Sequence, residues 1–169
     1  MNEQEFSQKV MIYSSKFYGY SYKLLGSQDE ARDAVQDLYL KLWSMRSSLS
    51  GIGNIEAFAT TIIRNLCIDK INRNRRSLMY KERIVNQSKD SDINDVEFIN
   101  DQNFKIELVR EAIRLLPEIQ QKVFIMRDFE ENEFEDIAIE IGVSPENVRV
   151  ILSRARKKLR ELVEKHIYR

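Results

Sequence analysis

The segment FEDIAIEIGVSPENVRVILSRARKKLRELVEK, residues 134–165, holds a short apolar-periodic run, a glycine turn and a long second run, the pattern of a helix-turn-helix. Small Ala138 lets the two helices approach, Gly142 supplies the positive φ of the turn, and Val148 plugs their junction. Ser144 is placed to cap the second helix, and Pro145 opens its first turn, where a missing N–H costs little. Val148, Leu152, Ala155, Leu159 and Leu162 recur at helical spacing and form the inward stripe.

The outward side of that helix is basic. Arg149, Ser153, Arg156 and Arg160 form one row with Arg154, Lys157 and Lys158 beside it, and no acid occurs over residues 147–160. One-sided positive density neutralises phosphates by counterion release, and residues near the helix start, Glu146, Asn147, Arg149 and Val150, are placed to reach base edges. A solvated basic face is the ordinary reading of an isolated charge run; the turn grammar around this one favours DNA. The acidic residues 128–136 would repel phosphate, so they are expected to point away from DNA or toward another protein, or simply to be solvated.

Composition agrees with helices throughout. The 169 residues are 43% hydrophobic and 32% charged, with only five Gly and two Pro, which argues for an all-α chain. No apolar run approaches the roughly 20 residues needed to cross a bilayer, and the polar start MNEQEFSQ is unlike a signal peptide, so a cytoplasmic protein without membrane insertion is expected. A single cysteine, Cys67, excludes an internal disulfide framework, and a single histidine, His166, removes most metal sites and hydrolytic triads. The expectation is therefore a protein that is not an enzyme, with no catalytic residues, metal or cofactor. Cys67 reads as a core residue and His166 as surface. The formal net charge is zero, but phosphate responds to local field, so distribution along the chain decides.

Working back from the quoted segment, Leu108, Ala112, Leu115 and Leu116 mark a helix stopped by Pro117, which then suits the first position of a helix containing Val123, Ile125, Met126 and Phe129. Residues 86–103, rich in Asp, Asn and Ser, read as a flexible acidic linker. The chain thus divides into a first domain at 1–85, the linker at 86–103 and the helix-turn-helix domain at 104–169. In the first domain, Phe6, Val10, Tyr13, Phe17, Tyr20 and Leu24 predict one helix over residues 5–26, ended by Gly26. Ser27 with Glu30 resembles a capping box, and Val35, Leu38, Leu42 and Met45 line a second helix ending near Arg46. Residues 47–54, with Gly51 and Gly53, read as an exposed loop, and a third helix over 56–74 buries Ala59, Ile62, Ile63 and Leu66.

Two further surfaces stand out. On the third helix Thr61, Arg64, Asn65, Ile68, Asn72 and Arg75 fall opposite the buried face, with Arg73 and Arg76 adding charge, which makes a second nucleic-acid candidate against a plain polar helix face; Ile68, apolar on that stripe, is a misfit. On the second helix Asp33, Gln36, Asp37 and Leu40 make a mixed stripe with Trp43 one turn beyond, a surface a protein partner can grip unless Trp43 simply finishes the core.

Three segments in order, DAVQDLYLKLW (33–43), IIRNLCIDKINRNRR (62–76) and the terminal VRVILSRARKKLRE, resemble the signatures of the extracytoplasmic-function group of sigma factors. That resemblance implies a first domain that grips the clamp helices of core RNA polymerase and recognises the minus-10 element, and a second that reads the minus-35 element. It implies polymerase contact by Asp33, Gln36, Asp37, Leu40 and Trp43. Minus-10 contact would come from the loop of residues 47–54, including Ser50, Gly51, Gly53 and Asn54, and from the face with Arg64, Asn65 and Asn72. Minus-35 contact would come from Arg149, Ser153, Arg154 and Arg156, with Lys157 beside them. The linker would thread toward the RNA exit path, residues 124–129 would help dock on the flap, and an anti-sigma factor would hold a monomeric protein inactive. The glycine loop is the candidate for trapping an unstacked base during strand opening. Ile55, Val150 and Ile151 depart from the common family pattern, which blurs the promoter sequence. The competing reading is a stand-alone helix-turn-helix regulator, which would bind a palindromic site as a dimer without polymerase.

Overall fold

A computed structural model describes the backbone of residues 1–85 and 101–167 and the side chains of residues 1–77 and 102–165. Among the described residues all regular structure is helical, as expected, and no helix is long and apolar enough to cross a membrane. The chain forms two compact units, Met1–Ile71 and Asn72–Arg169.

In the first unit, α1 (Glu3–Lys9) opens on a capping box in which the Asn2 side chain accepts from the Glu5 amide at 2.9 Å and the Glu5 carboxylate accepts from the Asn2 amide at 3.1 Å. The single helix expected over residues 5–26 is broken: α1 ends at Val10, a tight turn follows at Met11–Tyr13, and α2 runs Ser14–Leu25. Apolar periodicity continues through the break, so the sequence pattern conceals it. The bend lets Phe6 meet Trp43 edge-on at 5.2 Å, while Val10, Phe17 and Leu24 are buried. Gly26 closes α2 with φ 73°, and Ser27 caps α3 (Gln28–Ser44) by accepting from the Glu30 amide at 3.3 Å.

Helix α3 buries Ala31, Ala34, Leu38 and Leu42, whereas Val35 and Met45, expected inward, sit half-buried at its flanks. The expected loop contains one helical turn, α4 (Arg46–Leu49), because fully buried Leu49 pins it down. Asn54 then caps α5 (Ile55–Val85), its side-chain oxygen accepting from the Ala57 amide at 2.9 Å. At 31 residues α5 outruns the expected helix over 56–74. Ala59, Ile62, Ile63 and Cys67 are buried on it, and Leu66 is half-buried. The Cys67 thiol meets the Ser21 hydroxyl of α2 at 3.6 Å, so the cysteine is a core residue as expected.

In the second unit, α6 (Asp101–Arg114) starts inside the stretch read as linker; Asp, Gln and Asn at its first positions suit a helix N-terminus as well as a linker, so composition misplaced the boundary. Residues 86–100 of that stretch lie outside the described residues. Pro117 takes the cap position just before α7 (Glu118–Phe124) rather than its first turn. Because Pro117 has no N–H to give, the Gln121 side-chain amide donates instead to the carbonyls of Ile113 at 2.9 Å and Arg114 at 3.3 Å. A π-helical turn, Ile125–Phe129, leads to α8 (Phe134–Ile141) and α9 (Pro145–Ile167).

One face of α9 serves two clusters. Val148 and Leu152 join Val123, Met126, Ile137 and Ala138, while Ala155 and Leu159 join Ala112, Ile113 and Leu116 of α6. Fully burying each of the Val, Leu, Ile and Met side chains contributes about 1.5–3 kcal/mol, and each Ala less. Gly142 adopts φ 72° and Ser144 caps α9 through the Asn147 amide at 3.2 Å, the turn chemistry expected from the sequence.

No atom lies within 4 Å of a Cβ built on Gly142 or Gly53, but only Gly142 has positive φ. Gly142→Ala should therefore cost about 1–2 kcal/mol of stability through backbone strain alone, with Gly53→Ala close to neutral, as read from denaturant midpoints. Burial pushes the Cys67 thiol up to about 11, against a smaller lowering from Ser21. The folded chain should resist alkylation at pH 8 and react once unfolded. Since the folded value is the raised one, the stability Cys67 contributes is complete at neutral pH and fades as pH climbs toward 11. Cys67→Ala should flatten that part of the pH-stability curve.

Candidate nucleic-acid interface

Helix α9 can present cations outward because its opposite side carries the unit's core. Arg149, Ser153, Arg154, Arg156, Lys157, Lys158 and Arg160 are all exposed, as are Glu146, Asn147 and Val150 at its start. Seven of these ten residues line two clefts. Arg149, Ser153, Arg156 and Arg160 line one with Phe134 and Leu152; Arg154, Lys157 and Lys158 line the other with Pro117, Gln120 and Glu161.

The acidic stretch before the helix-turn-helix does not simply point away. Asp128, on the π-helical turn, takes the Arg156 guanidinium in a two-point pair, with Nε donating to Oδ2 at 3.0 Å and Nη2 donating to Oδ1. Hydrogen bonding to Asp128 holds the guanidinium above its ordinary range, partly opposed by burial. Arg127 beside it donates to the Asn132 carbonyl at 2.7 Å and lies 3.7 Å from the Glu133 carboxylate. The Phe134 ring carries two guanidiniums, Arg127 at 4.5 Å and Arg149 at 4.6 Å from its centroid. Phe134 was not among the sequence candidates, and Asp128 was read only as part of the acidic stretch and of the flap-docking residues 124–129, not as a partner of Arg156. Their partners are distant along the chain, and no local spacing announces them.

The third-helix stripe needs correction. Arg64 is 1% exposed, Ile68 3% and Asn72 6%, so three of its members are buried. The buried arc of α5 is wider than one stripe, and polar side chains hid this; apolar Ile68 was the available signal. Arg64 donates to the Thr61 hydroxyl at 3.3 Å. Arg75, which falls in the second unit, donates at 3.4 Å to the carbonyls of Arg114 and Leu116. Asn65 stays exposed and Thr61 half-exposed. In the loop before α5, Ser50, Gly51, Gly53 and Asn54 are exposed around the Leu49 anchor, with Asn54 also capping α5.

The mixed stripe on α3 is an exposed surface. Leu40 is 69% and Trp43 38% exposed, and Gln36 is open to solvent. Trp43 is both anchored and available, its ring resting on Phe6 while the Arg46 guanidinium sits 4.6 Å from it. Lys70 of α5 reaches Asp33 and also Asp37 at 3.1 Å. Burial lowers the affinity of Lys70 for its proton, but the two carboxylates together outweigh that and hold it above its ordinary range. Among the described residues, no group of His, Cys, Asp or Glu side chains is arranged to hold a metal ion.

Comparison with known proteins places both units. The model of sigma-70 region 2 matches residues 10–77, and that of sigma-70 region 4 matches residues 106–159. The chain is 26% identical over 158 residues to the RNA polymerase sigma factor YlaC of Bacillus subtilis, covering 90% of this chain and 88% of that one. It is 25% identical over 158 residues to the ECF RNA polymerase sigma factor SigE of Mycolicibacterium smegmatis, covering 93% of this chain and 61% of that one, so it spans about three fifths of the length of that relative. The solved structure of the sigma factor RpoE, in complex with the anti-sigma factor NepR from Bartonella quintana, shares the fold at a TM-score of 0.57 and 24% identity, covering 95% of this chain and 98% of that one.

If the Asp128 carboxylate masks Arg156, Asp128→Asn should tighten binding to duplex of arbitrary sequence. The slope of log affinity against log salt should steepen by about 0.9, one added phosphate contact. An unchanged slope would mean that Arg156 does not reach a phosphate.

Proposed function

This chain belongs to the sigma-70 family, in its extracytoplasmic-function group, and we propose that it works in the cytoplasm by binding core RNA polymerase and directing it to promoters. The observation that carries the reading is the pairing of two family regions in order, region 2 over residues 10–77 and region 4 over residues 106–159. The stand-alone regulator is set aside, because region 2 occupies the half of the chain that it would need for a sensor.

The chemistry is binding rather than covalent catalysis. In the first unit, Gln36, Leu40 and Trp43, flanked by Asp33 and Asp37, form the polymerase-gripping surface; an exposed leucine and a half-exposed tryptophan supply the desolvated anchors that hot spots require. Minus-10 DNA then meets the exposed residues Ser50, Gly51, Gly53, Asn54 and Asn65 and half-exposed Thr61. Neither loop glycine is held in positive φ, so their lack of side chains is free to serve a close-approaching nucleotide, and the unstacked base is trapped there. In the second unit, Glu146, Asn147, Arg149, Val150 and Ser153 read minus-35 bases, while Arg154 and Lys157 take phosphates and Arg156 stays paired with Asp128. Residues 124–129 dock on the flap. An anti-sigma protein covers the polymerase surfaces, a reading supported by the fold shared with RpoE, which was solved in complex with the anti-sigma factor NepR.

The deciding experiment is run-off transcription with purified core polymerase on a pool of promoter fragments. Specific starts that require this protein support the reading. Specific DNA binding without polymerase, and no starts with it, would return the stand-alone regulator. Leu40→Asp should leave the melting temperature unchanged, since Leu40 contributes little to the fold, and should weaken core polymerase binding at least about tenfold.

A further inference from the structure

We propose that Phe134 is a positioning residue for base readout, its ring holding the Arg149 guanidinium ready at the start of the recognition helix. The inference rests on the reading of α9 as the minus-35 reader. Phe134 is the first residue of α8 and packs half-buried against the cluster of Val123, Met126, Ile137 and Val148, so its ring is fixed by the same core that seats α9. Two guanidiniums lie over that ring, at 4.5 Å for Arg127 and 4.6 Å for Arg149.

The two arginines are not equivalent. Arg127 is tied down by the Asn132 carbonyl at 2.7 Å and the Glu133 carboxylate at 3.7 Å, so it acts as part of the frame. Arg149 is exposed and, among the described residues, has no carboxylate within ion-pair distance; the aromatic ring is what restrains it. This distinction matters for recognition. An ion pair would occupy the N–H fork of Arg149, as Asp128 occupies that of Arg156, whereas a ring contact engages the guanidinium through its π face and leaves the edge donors free. Those donors suit a base edge with two adjacent acceptors, the pattern guanine offers in the major groove. Restraining a long side chain before binding also removes entropy that recognition would otherwise cost. Phe134 thereby converts a flexible cation on the rim of the cleft into a defined reader whose hydrogen-bond donors stay open.

The test uses holoenzyme assembled from the full chain and core polymerase, transcribing a promoter panel in which each minus-35 base pair is changed in turn. Arg149→Ala should lose about tenfold discrimination at one guanine-containing pair. Phe134→Leu should lose at least about threefold at that same pair, and the double variant should be no worse than Arg149→Ala, as expected when one residue acts through the other. Phe134→Tyr, which keeps the ring face, should retain discrimination. Ring-fluorinated phenylalanines at position 134 keep the shape while draining the face of negative potential, so discrimination should fall stepwise with fluorine number even if Phe134→Leu folds poorly. Wild-type discrimination in the fluorinated series overturns the inference alone, as does a uniform loss over all promoters that adds to the Arg149→Ala effect. If Arg149→Ala leaves discrimination intact at every pair, the minus-35 reading of this helix fails first and takes the inference with it.

Discussion

One helix, α9, has to be both the wall of a hydrophobic core and a platform for cations, and the second unit is organised by that double demand. Like charges three and four residues apart oppose helix formation by about 0.2–0.5 kcal/mol per pair, and α9 stacks Arg149, Ser153, Arg156 and Arg160 on one row with Arg154, Lys157 and Lys158 beside it. Burial of Val148, Leu152, Ala155 and Leu159 on the inner side outweighs that repulsion several-fold. The remaining strain is relieved from outside the helix: Asp128 pairs with Arg156, and the Phe134 ring receives Arg149. Asp128, in a stretch expected to turn away from the basic face, thus offsets part of that repulsion.

The first unit puts a similar double demand on α5. Its buried arc takes in the apolar residues Ile63, Cys67, Ile68 and Ile71 and also the polar Arg64. Lys70 lies at the edge of that arc and ties α5 to Asp33 and Asp37 of α3. Those two carboxylates flank Leu40 and Trp43, so the shape of the proposed polymerase surface is coupled to the packing of a different helix. The coupling is electrostatic and partly exposed, which makes it weak individually.

Much of this was legible before any coordinates. Turn chemistry at Gly26, Ser27, Gly142 and Ser144 is local, so residue type alone located those helix ends. The α9 stripe was legible because its inward residues are all apolar and its outward row is polar and basic. Legibility failed where periodicity and geometry part company. The break at Val10 preserves the apolar spacing, and Asp101, Gln102 and Asn103 serve a helix start as readily as a linker. On α5, Arg64 and Asn72 are polar yet buried, and a polarity pattern cannot distinguish a solvated arginine from one packed inside. The pairs Asp128–Arg156 and Phe134–Arg149 are tertiary, and no rule of sequence spacing reaches them.

The masking of cations bears on how a two-site promoter reader keeps its specificity. With 27 basic and 27 acidic residues in the chain, its attraction for DNA rests on local charge, and one of the cations on the proposed reading helix is already paired with Asp128. Affinity from phosphate contacts is blind to sequence, so every unmasked cation strengthens binding to wrong sites as much as to right ones. Under the proposed function the second unit need not bind tightly alone, because polymerase holds both units near the promoter and raises their effective concentration. Weak phosphate attraction combined with a pre-oriented base reader then favours discrimination over residence. Once polymerase supplies proximity, a recognition helix that commits part of its charge to its own fold loses little binding where it matters and gains selectivity everywhere else.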